Sequence, residues 1–330
     1  MRVRVVSIGL SAGAVARVRF AASCLWEVVA SVRVLRNPGD HAIHLPWVRR
    51  VRPALAAAGL VGAGGGLLWQ LIPAAPGYLP DFLTPTPAGL DPVLADELAA
   101  LAGTPAAMVR EQLALYGGAP TPELAGLAAD PAAGLRRLVR EINAYWQIAL
   151  AADWPRIRLL LEAEVFARAR ALAGGGAAGL LNDLHEGVRW EGDALCVDQR
   201  NCAAPDVPAG SGLVLIPSVF VWPSVLSVAA AEPPQLAYPA RGAGTLWELP
   251  GGASGALTAV LGPGRARLLA ELAAPVSVTE LSRRTGMSPA GVSQQLTILR
   301  AAGLVTTHRE GRSRMNTRTT VADALLSAAG

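Results

Sequence analysis

The residues best suited to chemistry stand near the end of the chain, in SPAGVSQQLTILRAAGLVTTHREGRSR, residues 288–314. Val292, Leu296 and Leu299 recur at helical spacing and share one side of a helix, while Ala290, Ser293, Gln294 and Thr297 point away from it. That outer side carries small and amide-bearing residues and no carboxylate. Such residues enter a major groove without clash, and a Gln amide pairs with an adenine edge. Two strand-like runs, LVTTHR and SRMNTRT, then flank Glu310-Gly311, which predicts a hairpin with Arg309, Arg312 and Arg314 around its tip. Guanidinium groups so placed meet phosphates or the minor groove. Ser293, Gln294 and Thr297 are therefore expected to contact bases, with Arg300, Arg309, Arg312 and Arg314 on the DNA backbone. Ser288, Ala290 and Gln295 complete the expected interface.

The elements that must position these residues are also legible. Ser288 caps the helix with Pro289 at its first position, and Ser277 with Glu280 forms an S-x-x-E capping box for VTELSRRT, which Gly286 ends. Arg265 to Leu272 carries apolar residues at 268, 269 and 272, one more helical face. Helix, glycine-containing turn, helix and basic hairpin is the order of a winged helix-turn-helix. The same shape can serve protein–protein assembly, and that alternative stays open here.

Charge placement supports a polyanionic partner. All 29 basic residues are Arg, which with the excess of Ala, Gly and Pro points to a high-GC coding bias, so arginine number alone says little. From Leu261 to Gly330 nine Arg face four acids, a balance of +5 in a chain of net charge +4, leaving the rest near neutral. A basic tail on a neutral body favours nucleic acid at the tail. The 330 residues, 52% hydrophobic and 16% charged, are enough for two domains with sizeable cores.

The body, residues 1–250, reads as helices with a small sheet. Strand is expected over 2–8 and helix over Phe20–Leu35 and Leu45–Ala58. Thr104-Pro105, Thr121-Pro122 and Asp130-Pro131 each place a capping side chain before a proline, and Asp153 with Pro155 starts a helix that Gly174 to Gly176 end. A hairpin around Glu191-Gly192-Asp193 and strands in GLVLIPSVFVW and PQLAYPA follow. The fold class is thus α+β: a mainly helical N-terminal domain with a small sheet, then a C-terminal winged helix-turn-helix over 255–330.

Little in the body suggests catalysis. His41 and His44 lack a third ligand, His185 with Asp183 and Glu186 reads as a polar helix face, and GAGGG lacks the Lys-Ser/Thr of a P-loop. Cys24, Cys196 and Cys202 give no C-x-x-C pair, which favours a reducing, cytoplasmic setting. Arg17 and Arg19 interrupt the N-terminal apolar run before a secretory segment develops, and glycines break the uncharged run Ala54–Ala75, so neither leader nor membrane span is expected. The eight Trp all precede residue 255 and are able to line a pocket for an aromatic ligand, though core packing explains them too.

The stretch VTELSRRTGMSPAGVSQQLTILRAAGLVTTHREGRSR resembles the ArsR-type winged-helix regulators of bacteria, matching at Ser293, Leu296, Leu299, Ala302, Gly303, Leu304 and Val305. Gln295 stands where His is usual in that motif. The body, through RFAASCLWEVVASVRVL, HAIHLPWVRRVRPAL, GYLPDFLTP, EINAYWQIALAADWPRI and LVLIPSVFVWP, resembles the long N-terminal region of a subgroup from high-GC bacteria. The resemblance implies a cytoplasmic, non-enzymatic transcriptional repressor that binds double-stranded DNA as a homodimer, with possible control by a small-molecule effector. The segment TELSRR lacks the cysteine ligands of the metal-sensing members, so no metal and no cofactor are expected. An enzyme or ligand-binding body using its winged helix for assembly is the rival reading.

Overall fold

Val214–Ser218, VLIPS, is buried at all five positions, as expected of a strand in a parallel sheet covered on both faces. It pairs in parallel with Arg19–Phe20 on one side and with Gln235–Pro239 on the other, and Leu226–Val228 adds an antiparallel edge. Alternate residues feed opposite faces. Val214 and Ile216 enter the core built by the helices, whereas Leu213 and Leu215 enter a second core shared with Leu181, Leu195 and Val197.

The computed structural model describes residues 4–74, 77–116, 121–199, 212–228, 231–247, 255–310 and 313–328. The chain divides into two compact units, Met1–Trp247 and Glu248–Gly330. Both mix helix and sheet, and the second is the winged helix-turn-helix, so the α+β class holds. In the first unit a second sheet joins Arg4–Gly9 and Val188–Glu191 to either side of Ala194–Gln199, all antiparallel.

The helix Cys24–Arg36 lies at the centre of the larger core, with Leu25, Trp26, Val28, Val29 and Leu35 among its buried residues. A helix so enclosed must satisfy its first N–H groups within the protein. Ser23 Oγ accepts from Trp26 N at 3.0 Å, and the Glu97 carboxylate accepts from Cys24 N and Leu25 N, each at 2.9 Å. One turn in, Glu27 is buried and accepts from Ser218 Oγ at 3.1 Å and Val219 N at 2.9 Å. These bonds tie the helix to the carboxyl end of the central strand. Burial outweighs them and pushes the Glu27 carboxyl up to about 7, and it raises Glu97 as well.

Several expected helix starts hold. Thr121 Oγ1 accepts from Leu124 N at 3.3 Å, and Asp130 Oδ1 accepts from Ala133 N at 3.0 Å. Two differ. Pro105 is itself the cap of Ala106–Ala114, and Thr104 Oγ1 donates back to Leu101 O at 2.7 Å. Asp153 stands at the cap of Trp154–Asn182, with Pro155 in the first turn as expected, but its carboxylate pairs with Arg50 and makes no cap bond. That helix breaks at Gly176, whose φ of 66° only glycine adopts cheaply, and resumes to Asn182. The helix expected from Phe20 begins at Cys24, because Phe20 pairs with Leu215 as a strand.

The sign of the Glu27 shift sets a stability trend. With its carboxyl raised from 4.5 to about 7, the folded chain keeps a proton that the unfolded chain releases, so stability falls as pH rises through that interval. Glu27→Gln is expected to flatten this decline by on the order of 2 kcal/mol between about pH 5 and pH 8 in urea melts. Glu97 and Asp81, raised in the same direction by burial, keep a residual slope. An unchanged slope in Glu27→Gln would contradict the buried, proton-holding role.

Candidate nucleic-acid interface

The second unit is built around a small apolar core. Val292, Leu296 and Leu299 of the helix Pro289–Ala301 are buried with Leu268, Leu269, Leu272, Leu281, Leu304, Val305 and Ala322. Burying that seam fixes the helix rotation, and Ser288, Ala290, Ser293, Gln294, Thr297 and Arg300 are exposed on its other side. Gln295 is half-buried at the edge of the seam.

Local chemistry sets the helix ends. Ser277 Oγ accepts from Glu280 N at 3.2 Å to start Val278–Thr285, and Gly286, at φ 72°, ends it with its N–H bonded to Ser282 O. Ser288 Oγ then accepts from Gly291 N at 3.2 Å to start the next helix. The capping box is half-formed: the Glu280 carboxylate turns to Arg284 Nε, 2.7 Å away, and to Arg283 Nε, 2.8 Å away. Hydrogen bonds from Arg283 and Arg284 hold its carboxyl down at about 2. Glu280 thereby offsets the two arginines beside the turn.

After Gly303, at φ 70°, the chain enters Val305–Glu310, which pairs antiparallel with Ser313–Arg318. Val276–Ser277 joins the outer side of Ser313–Arg318, making a three-stranded sheet. Buried Asn316 locks it: its Oδ1 accepts from Thr307 Oγ1 at 2.8 Å and its Nδ2 donates to Val276 O at 3.3 Å. Arg309 and Arg314 are exposed and stand directly opposite each other across the two strands. Arg312 lies outside the described residues.

Two of the expected DNA contacts are partly engaged within the helix. Thr297 Oγ1 donates to Ser293 O at 2.9 Å and accepts from Arg300 NH2 at 3.0 Å, and Arg300 Nε donates to Leu296 O at 3.2 Å. Thr297 thus offers a methyl group and a remaining lone pair, the features that meet a thymine methyl or a base donor. Ser293 and Gln294, one turn earlier, present their side chains on the same exposed face. Sequence reasoning did not select Arg267, His308 or Arg283, the last with a side chain 74% exposed at the end of the first helix of the pair. Helical phase on VTELSRRT could have marked Arg283.

In the first unit, His185 lines a cavity of about 200 Å³ with Glu186, Asp198 and Ser224. Its Nδ1 accepts from Gly187 N at 3.0 Å and its Nε2 donates to Pro223 O at 3.1 Å, so both nitrogens are engaged. His41 Nδ1 donates to Trp222 O at 2.7 Å. Burial raises the Cys24 thiol far from a reactive range. Cys202 lies outside the described residues. Among the described residues no group of three His, Cys, Asp or Glu is placed to hold a metal ion, and no helix is long and apolar enough to cross a membrane.

Residues 263–308 match a protein-family model described as a helix-turn-helix domain, which spans the three helices and most of the first wing strand. No curated protein and no solved structure matches the chain.

Removing the cap at the start of the outer helix tests the local account: Ser288→Ala is expected to cost about 1 kcal/mol of stability. Thermal melts of the full chain read this, and Ser288→Asn should restore most of it. A melt of Ser288→Ala that overlays the wild type would contradict the cap.

Proposed function

We propose that this chain is a transcriptional regulator that binds specific double-stranded DNA through its second unit. The observation that supports this most directly is the helix Pro289–Ala301, whose exposed side carries Ser293, Gln294 and Thr297 and no carboxylate. Gln294 suits an adenine edge, Ser293 either partner, and the Thr297 methyl a thymine. Arg309 and Arg314, with Arg312 between them in sequence, supply the phosphate contacts that set register without reading sequence. Arg300, tied to Thr297, adds positive charge at the same helix face.

The reading extends to an ArsR-type repressor from a high-GC bacterium, acting in the cytoplasm as a homodimer on a two-fold site. The motif Ser293 to Val305 and the absence of Lys support that extension. A dimer places two recognition helices on half-sites about one helical turn apart, roughly 34 Å. The first unit, on this reading, serves dimerisation and responds to a small-molecule effector, and it performs no catalysis.

Selection of bound duplexes from a randomised pool tests the proposal. The wild type should enrich an inverted repeat. Gln294→Ala should relax preference at one base per half-site by about 1–3 kcal/mol, while Arg314→Ala should weaken all duplexes by a similar factor. Enrichment of no sequence, or identical selections from wild type and Gln294→Ala, would overturn the assignment of base contacts.

A further inference from the structure

Thr297 and Arg300 stand about one turn apart on the exposed side of the helix Pro289–Ala301, and their side chains are bonded to each other. Thr297 Oγ1 donates its proton to Ser293 O at 2.9 Å and accepts from Arg300 Nη2 at 3.0 Å. Arg300 Nε donates to Leu296 O at 3.2 Å. The guanidinium therefore lies back along its own helix, held by a backbone carbonyl and a hydroxyl.

This arrangement decides which part of Thr297 a base can meet. A threonine in a helix divides between two χ1 rotamers. The bonds to Ser293 O and Arg300 hold it in one of them, and they take up the hydroxyl proton and one of the two lone pairs. The methyl group takes part in neither bond, and on an exposed residue it is the group left for a partner. In the major groove the apolar feature that a methyl meets is the 5-methyl group of thymine.

The geometry points to Arg300 as a positioning residue: by holding the Thr297 hydroxyl it presents the Thr297 methyl to the 5-methyl group of one thymine in each half-site. Arg300 then shapes base preference through Thr297, beyond the charge it adds at the helix face. This deepens the base readout proposed above and rests on that reading.

The test uses the full chain and the duplex that the wild type enriches, with each enriched thymine replaced in turn by uracil, which lacks only the 5-methyl group. Affinities are read by fluorescence anisotropy at one salt concentration. Loss of the methyl contact is expected to weaken wild-type binding about fourfold at one thymine per half-site. Thr297→Ser, which keeps the hydroxyl and drops the methyl, should bind the thymine and uracil duplexes alike. Arg300→Met should bring their ratio close to one as well. Thr297→Val, whose methyls sit on a side chain that is stiff in a helix, should keep the ratio even when Arg300→Met is added. Circular dichroism melts confirm that each variant folds, and Arg300→Ala stands in should Arg300→Met fail to do so.

Uracil without effect at every thymine, or an undiminished ratio in Thr297→Ser, would overturn the proposal. So would an Arg300→Met variant that weakens the thymine and uracil duplexes by the same factor, which would make Arg300 a phosphate ligand alone. A ratio lost in the variant carrying both Thr297→Val and Arg300→Met would overturn it too, since Arg300 would then act other than through Thr297. Each of these outcomes leaves the regulator reading standing, because the wild type still selects a sequence. A wild type that selects none overturns both.

Discussion

Burial of Val292, Leu296 and Leu299 against the helix Pro263–Glu271 and the first wing strand decides what the second unit can offer a partner. Three apolar residues at helical spacing permit one rotation of Pro289–Ala301 about its axis. Any other rotation exposes that seam. Everything exposed on the opposite side, from Ser288 to Arg300, follows from it. The turn before the helix is fixed with equal economy: Gly286 adopts a positive φ that frees the chain to reverse, and Ser282 Oγ donates to Met287 O at 2.6 Å to hold it. The outer helix therefore arrives with its direction, start and rotation set before any partner is met.

The wing depends on the same core through its strands. Val305 is buried with Leu299 and Leu304, so the hairpin is anchored at its base and presents arginines toward its tip. Charges nearer the turn are handled differently, because Glu280 takes both Arg283 and Arg284. On the wing, Arg309 and Arg314 are exposed and face each other in the strand register.

Much of this was legible in the sequence where the cause is local. The caps at Thr121, Asp130, Ser277 and Ser288, the stops at Gly286 and Gly303, and the apolar seam are settled by residues within one or two turns of each other. What sequence reasoning missed was set by partners far along the chain. Arg50 draws the Asp153 carboxylate away from its helix, and Leu215 recruits Phe20 into a parallel strand of two residues. The joining of Arg4–Gly9 to Ala194–Gln199 spans almost the whole first unit and leaves no local trace. Of the residues read from the sequence as DNA contacts, Arg300 was assigned to phosphate, and the structure adds its bond to Thr297, three residues away, a pairing that helical spacing itself contains. The aromatic cluster around His44 was visible only as eight scattered tryptophans, since residues 44, 220 and 247 meet through the sheet edge.

The most direct measurement is a fluorescence-anisotropy titration of the full chain against a duplex from its own upstream region and a scrambled duplex, at several salt concentrations. The account predicts tighter binding to the upstream duplex and a linear fall of log affinity with log salt, with a slope of about −0.9 for each phosphate neutralised. Absence of binding at low salt, or binding indifferent to salt, would contradict the claim that this arginine-tipped unit engages DNA.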